Sequence, residues 1–266
     1  MARPWIRGCT LFALLLGPNV AEAQEGWLEL RSENYRFVGD VDDEDLFGVA
    51  TRFEAFHSAV TEIFSSRQYP DPGPLTVVVV DDDDLLEELG LTDNDGYFLP
   101  GDSEDYVAML TESNRRRPFD RVLHDYFHAI AEESIPNAPL WLVEGLAEFY
   151  RTTTWSAEGT ELQIGRPIDS LVRLARDEDA PRTFDRLFAF SPDSDSYDEA
   201  DREDIFHAQS WAFVHFLMTR NEGQGYAAMI RFVRLMASEI SFEEAVDDAF
   251  GLSFRTLLND FENSVR

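Results

Sequence analysis

FDRVLHDYFHAIAEESIPNAPLWLVEGLAEFY, residues Phe119–Tyr150, carries two helical patterns separated by a proline-bounded turn. His124 and His128 stand four residues apart on the first pattern, close to one helical turn. Both imidazoles therefore leave the same face and can grip one metal ion. This first helix is expected over residues 115–133. Pro136 and Pro139 end it, and Pro139 opens a second helix over residues 140–151, with Leu142, Val143, Leu146, Phe149 and Tyr150 on its buried side. Glu144 rides on that second helix.

Upstream, the alternation in Trp27–Val38, broken at Ser32–Asn34, predicts a β-hairpin. Residues 42–65 repeat apolar side chains at Leu46, Val49, Phe53, Phe56, Val60 and Ile63, the pattern of an amphipathic helix that Asp42 can cap. His57 falls on the edge of that helix and reads as a surface or packing histidine. The proline-rich run Tyr69–Pro74 is a rigid linker, and Leu75–Val80 (LTVVVV) is continuous enough in apolar character for a buried central strand. Asp81–Asp84 then favour the N-terminus of a short helix through its dipole. Two further strands are expected at Gly96–Gly101 and Tyr106–Leu110, and the second reads as an edge to which an extended peptide could add.

Downstream, a hairpin is expected over Thr160–Arg166 and helices over residues 168–176, 183–188, 202–219, 225–237, 242–250 and 254–265. The acidic run Asp193–Asp201 lacks the glycine and glutamate spacing of a calcium loop and reads as a solvated segment. His215, two turns beyond His207 on the same face, reads as a core residue or as a support for the residues around the site. Strands come early, helices late, and the metal-candidate helix lies between: an α+β pattern.

The chain has 266 residues, 44% of them hydrophobic, which is enough to bury a core. Its 52 acidic residues outnumber 22 basic ones, every one an arginine, for a net charge of -30. Such a charge repels nucleic acid and anionic membranes, so neither is an expected partner. The first residues combine Arg3 and Arg7, a short apolar run Cys9–Leu16, and small residues at Ala21 and Ala23. That is the order of a secretory leader, with the mature chain starting at Gln24 and carrying no membrane anchor and no cysteine. The expected layout is a leader over 1–23 and one domain over 24–266, made of a sheet with the metal-candidate helix (24–134) and a helical part (135–266). The expected location is secreted or periplasmic.

A lone His-x-x-x-His pair carries little weight, but here the pair lies in an amphipathic helix and Glu144 follows sixteen positions after His128. Two imidazoles and one carboxylate leave the fourth position of a tetrahedral zinc open, the catalytic rather than the structural pattern. His124-Asp-Tyr-Phe-His128 followed by Trp141-Leu-Val-Glu-Gly-Leu-Ala-Glu148 resembles the gluzincin zinc metallopeptidases, the class that includes thermolysin. More closely, the chain is similar to a group of secreted bacterial peptidase-MA-like proteins. That similarity continues through Gly165–Ile168, Ala208–Trp211 and Ala249–Gly251. The resemblance implies a zincin-like fold, a Zn2+ cofactor held by His124, His128 and Glu144, and a peptide or protein substrate. It further implies that Glu148 orients an imidazole; where the group has Tyr this chain has His207, and either side chain can donate to the oxyanion of a tetrahedral intermediate, the alternative being a helix-face histidine satisfied by packing.

One departure bears on catalysis. The family motif has Glu after the first histidine, as general base; this chain has Asp125. Losing a methylene withdraws the carboxylate by about 1.5 Å, and a misplacement of about 1 Å can cost on the order of 10²-fold in rate. The leading expectation is a zinc-dependent peptidase with Asp125 and His207 as catalytic residues. The alternatives are a zinc-binding pseudopeptidase that holds peptides without efficient hydrolysis, and a helical scaffold with structural histidines.

Overall fold

A computed structural model describes residues 21–64 except 25, 75–111 except 83, 89, 92–94 and 102, 118–168 except 157–158, residue 172, 200–238 and 240–264. The architecture is α+β: a small mixed sheet followed by a mainly helical C-terminal part. Strands β1 (Ala21–Gln24), β2 (Trp27–Arg31) and β3 (Tyr35–Asp40) form an antiparallel meander. Helix α1 (Asp43–Phe64) then leads to β4 (Leu75–Val80), which lies parallel to β3. After the short α2 (Asp84–Glu88) come β5 (Gly96–Leu99) and β6 (Asp105–Leu110), and β6 inserts between β4 and β5.

The sheet order is β1-β2-β3-β4-β6-β5, which makes β4 the interior strand that its apolar run predicts. It also corrects one expectation. Tyr106–Leu110 is not an edge: β6 pairs parallel with β4 on one side and antiparallel with β5 on the other, so its backbone groups are committed on both flanks. Among the described residues the outermost strand at this end of the sheet is β5, Gly96–Leu99.

Each element follows from its sequence. Asp42 Oδ1 accepts the Asp45 amide at 2.9 Å and caps α1. The buried stripe of α1, including Phe53, Phe56, Val60 and Ile63, packs into the main core with the inward residues Tyr35 and Phe37 of β3 and Leu75, Val77 and Val79 of β4. On the opposite face of the sheet, Leu86 of α2 closes a smaller cluster over Val80, Ala108 and Leu110.

Helix α3 (Pro118–Ser134) begins with a proline at its first position, where no amide donor is needed. It buries Val122, Leu123, Tyr126, Phe127 and Ile130 beneath the sheet. Helix α4 (Leu140–Tyr150) starts after Pro139. The predicted hairpin differs in placement: Leu162–Gln163 (β8) pairs with Thr154–Trp155 (β7), because the chain doubles back directly after α4. Gly165 takes φ +67, and a Cβ there would run into the Phe149 ring, so the return past α4 requires glycine. Four helices complete the described chain: α5 (Ala200–Thr219), α6 (Gln224–Met236), α7 (Phe242–Phe250) and α8 (Phe254–Ser264). Ser241 and Glu244 form a reciprocal capping box on α7.

The placement that matters most for the site is α5 against α4. A Cβ on Gly145 would meet Ser210 O and Val214 Cγ2, both at 2.5 Å, so the missing side chain lets the two helices approach closely. Among the described residues no helix is long and apolar enough to cross a membrane. The expectations for residues 1–20, the linker Tyr69–Pro74, the helices over 168–176 and 183–188, and most of the acidic run Asp193–Asp201 lie outside the described residues.

Candidate metal centre

Helix α3 presents His124 and His128 one turn apart, α4 presents Glu144 and Glu148 one turn apart, and α5 brings His207 over them. His124, Glu144 and Glu148 are buried. His124 Nε2 lies 3.1 Å from His128 Nε2, and Glu144 Oε2 lies 3.4 Å from the former and 3.3 Å from the latter. Three ligands about 2.0 Å from a tetrahedral zinc stand about 3.3 Å from one another. The three donor atoms already have the spacing of one tetrahedral face. Two imidazole nitrogens with one carboxylate oxygen suit zinc or a similar transition ion, whereas calcium and magnesium want oxygen alone.

Glu148 faces the other side of the first imidazole, with Oε1 3.3 Å from His124 Nδ1. The same oxygen lies 3.4 Å from His207 Nδ1, while His207 Nε2 lies 3.5 Å from Glu144 Oε2. His124 and His207 stack with ring centroids 5.5 Å apart and planes 12° apart. Each of the two rings thus spans the same pair of carboxylates. Two groupings among the described residues have the spacing to hold a cation: His124, His128 and Glu144, and His124, Glu148 and His207. In the second, the Arg151 guanidinium sits 2.6 Å from Glu148 Oε2 and supplies positive charge already, which disfavours a further cation there.

The electrostatics follow from burial opposed by pairing. Burial works against a charged His124, but contacts with Glu144 and Glu148 outweigh it and raise its pKa to about 9. Burial likewise works against the Glu144 carboxylate, yet hydrogen bonds with His124 and His128 hold it well below the ordinary range. Glu148 is held below that range too, its burial offset by His124, His207 and Arg151. Two buried carboxylates therefore stay ionised at neutral pH because the His124 imidazolium lies against both and Arg151 against Glu148. A dication entering the site takes over the balancing role of the His124 proton.

Asp125 stands apart from both groupings. Its Oδ2 accepts from Arg121 Nε at 2.9 Å, one turn back on α3. The remaining histidines sit elsewhere: His57 bonds the Tyr35 hydroxyl at 3.3 Å, and His215 packs on Trp211 and Phe149. Burial lowers the pKa of both.

Sequence reading missed two cations that act on the site. Arg151 follows Glu148 by three residues and Arg121 precedes Asp125 by four. Both are helical ion-pair spacings, and these were the available signals.

No curated protein shows a match to the chain. Residues 122–243, which include every side chain from His124 to His207 just described, match the family described as "Protein of unknown function (DUF1570)". The clustered histidines and carboxylates thus fall within one stretch of similarity to that family.

Proposed function

We propose that the protein is an exported zinc-dependent metallohydrolase of gluzincin type that cleaves a peptide bond. The observation that carries this reading is the donor triangle of His124 Nε2, His128 Nε2 and Glu144 Oε2, with sides of 3.1 to 3.4 Å. Zinc, when bound, supplies a Lewis acid that polarises the carbonyl and makes water a competent nucleophile near neutral pH. Everything else falls to the chain. His124, His128 and Glu144 hold the ion, and Glu148 keeps His124 in the tautomer whose Nε2 lone pair is free for it. Asp125 takes the proton from the attacking water at its carboxylate and passes it to the leaving amine as the C–N bond breaks. His207 offers Nε2 to the oxygen on which charge develops.

A second reading is favoured by one specific contact. Asp125 is a methylene shorter than glutamate and is held by Arg121 at 2.9 Å. A site that keeps its metal but lacks an available base is a zinc-binding pseudopeptidase, which would hold peptides without cutting them. Chelator-sensitive hydrolysis of a mixed peptide library separates the two. The enzyme reading expects zinc-restored cleavage by the wild type that His124→Ala abolishes. Cleavage by Asp125→Glu alone, with the wild type silent but zinc-loaded, establishes the pseudopeptidase.

A further inference from the structure

We propose that Arg151 is a positioning residue for this centre, acting through Glu148 on His124 and His207 together; the inference rests on the metal-site reading above. Arg151 follows the last residue of α4, and its side chain is largely buried. Its Nε lies 2.6 Å from Glu148 Oε2. Its Nη1 donates to the Asp120 carbonyl of α3 at 3.5 Å and approaches Asp120 Oδ2 at 3.7 Å. Arg52 of α1 donates to the Arg151 carbonyl at 3.4 Å. Asp120 of α3 thus tethers the guanidinium itself, while Arg52 of α1 holds the backbone from which it extends.

That fixation has a chemical consequence. With Oε2 held by Arg151, Glu148 can present only Oε1 to the histidines, and Oε1 lies 3.3 Å from His124 Nδ1 and 3.4 Å from His207 Nδ1. A carboxylate has only acceptors, so both Nδ1 atoms must carry a proton. One oxygen therefore orients two rings through their Nδ1 protons. It frees the His124 Nε2 lone pair toward His128 and Glu144, and it turns His207 Nε2 toward Glu144. Freed from Arg151, the carboxylate can rotate about its terminal bond, and both rings lose their common reference at once.

The test is zinc affinity of the full chain, by competition with a chromophoric chelator, for the wild type, Arg151→Gln, Arg151→Lys and Asp120→Asn. Arg151→Gln is expected to weaken zinc binding by about 10-fold to 100-fold, the range for lost partners of a ligating imidazole, with Arg151→Lys recovering part of it. Asp120→Asn removes only the side-chain ion pair, leaves the backbone carbonyl to tether Nη1, and is expected to bind zinc as the wild type does. Wild-type affinity in Arg151→Gln, or an equal loss in Asp120→Asn, overturns the proposal. Imidazole nitrogen NMR of the zinc-loaded wild type decides independently of whether any variant folds. Protons on Nδ1 of both His124 and His207 support it, and a His207 protonated at Nε2 alone overturns it. A wild type that binds no zinc overturns the parent reading as well. A zinc-binding wild type with an indifferent Arg151→Gln overturns this inference alone.

Discussion

Asp125 follows His124 on α3 and turns its carboxylate back to Arg121, where Oδ2 accepts from Nε at 2.9 Å. The pair is exposed enough that its own stabilisation is small, so its importance lies in where it holds the carboxylate. Asp125→Glu returns the missing methylene, about 1.5 Å of reach, and is expected to raise peptide hydrolysis by as much as 10²-fold. Arg121→Ala frees the shorter carboxylate and is expected to give a smaller rise. Initial rates on one peptide, with zinc content checked in each variant, measure both effects; unchanged rates in two zinc-loaded variants would remove Asp125 from the mechanism. His124 carries a pH prediction at the same scale. Its pKa is raised from 6.5 to about 9, so metal entry below pH 9 must expel a proton. Apparent zinc affinity is expected to climb as pH rises from 6 toward 9 and then level off. A pH-independent affinity across that interval contradicts the assignment of His124 as a ligand.

Among the elements, the packing of α5 on α4 is what brings His207 to the carboxylates. Gly145 makes that approach possible, since a Cβ would lie 2.5 Å from Ser210 O and from Val214 Cγ2. Gly145→Ala is expected to destabilise the fold by about 1–3 kcal/mol, the usual cost of overpacking a well-filled interface. Separating the helices should also loosen His207 from Glu148. Thermal unfolding reads the first effect; a variant as stable as the wild type would mean that α5 gives way without cost. The elements themselves were largely legible in the sequence. The stripe of α1, the run Leu75–Val80 and Pro139 at the start of α4 are local signals, and local structure followed them. What misled was Tyr106–Leu110, because strand order is not a local property. It reads as an edge open to a peptide, yet β6 is flanked by β4 and β5, and α2 and β5 separate it in sequence from β4.

Across the whole molecule, one cluster of buried side chains runs from Leu30 in the sheet to Phe261 in the last helix, and the candidate metal centre is built on helices that contribute to it. The His124–His128–Glu144 set was readable because helical spacing is written in the sequence. The i,i+3 spacing of Arg151 from Glu148 was there to be read but was passed over, whereas the contacts Glu148 shares with His124 and His207 depend on three helices meeting. The centre also ties global stability to pH. Glu144 and Glu148 are held below their ordinary 4.5, so their contribution is present above 4.5 and lost as pH falls. His124 is raised above its ordinary 6.5, so its contribution is full below 6.5 and lost as pH rises through about 9. Chelated protein is therefore expected to draw most from this cluster between about pH 4.5 and 6.5 and to lose Tm on either side, with zinc restoring it on the alkaline side. A Tm of the chelated protein that does not fall between pH 6.5 and 9 would count against the pairing of His124 with the two carboxylates.

The central claim is that His124, His128 and Glu144 hold one zinc ion, and bound metal per chain after zinc loading and exhaustive dialysis tests it most directly. The account predicts one zinc per wild-type chain, and none retained by folded His124→Ala or Glu144→Ala. A wild type that emerges without zinc, or variants that keep it, contradicts the account.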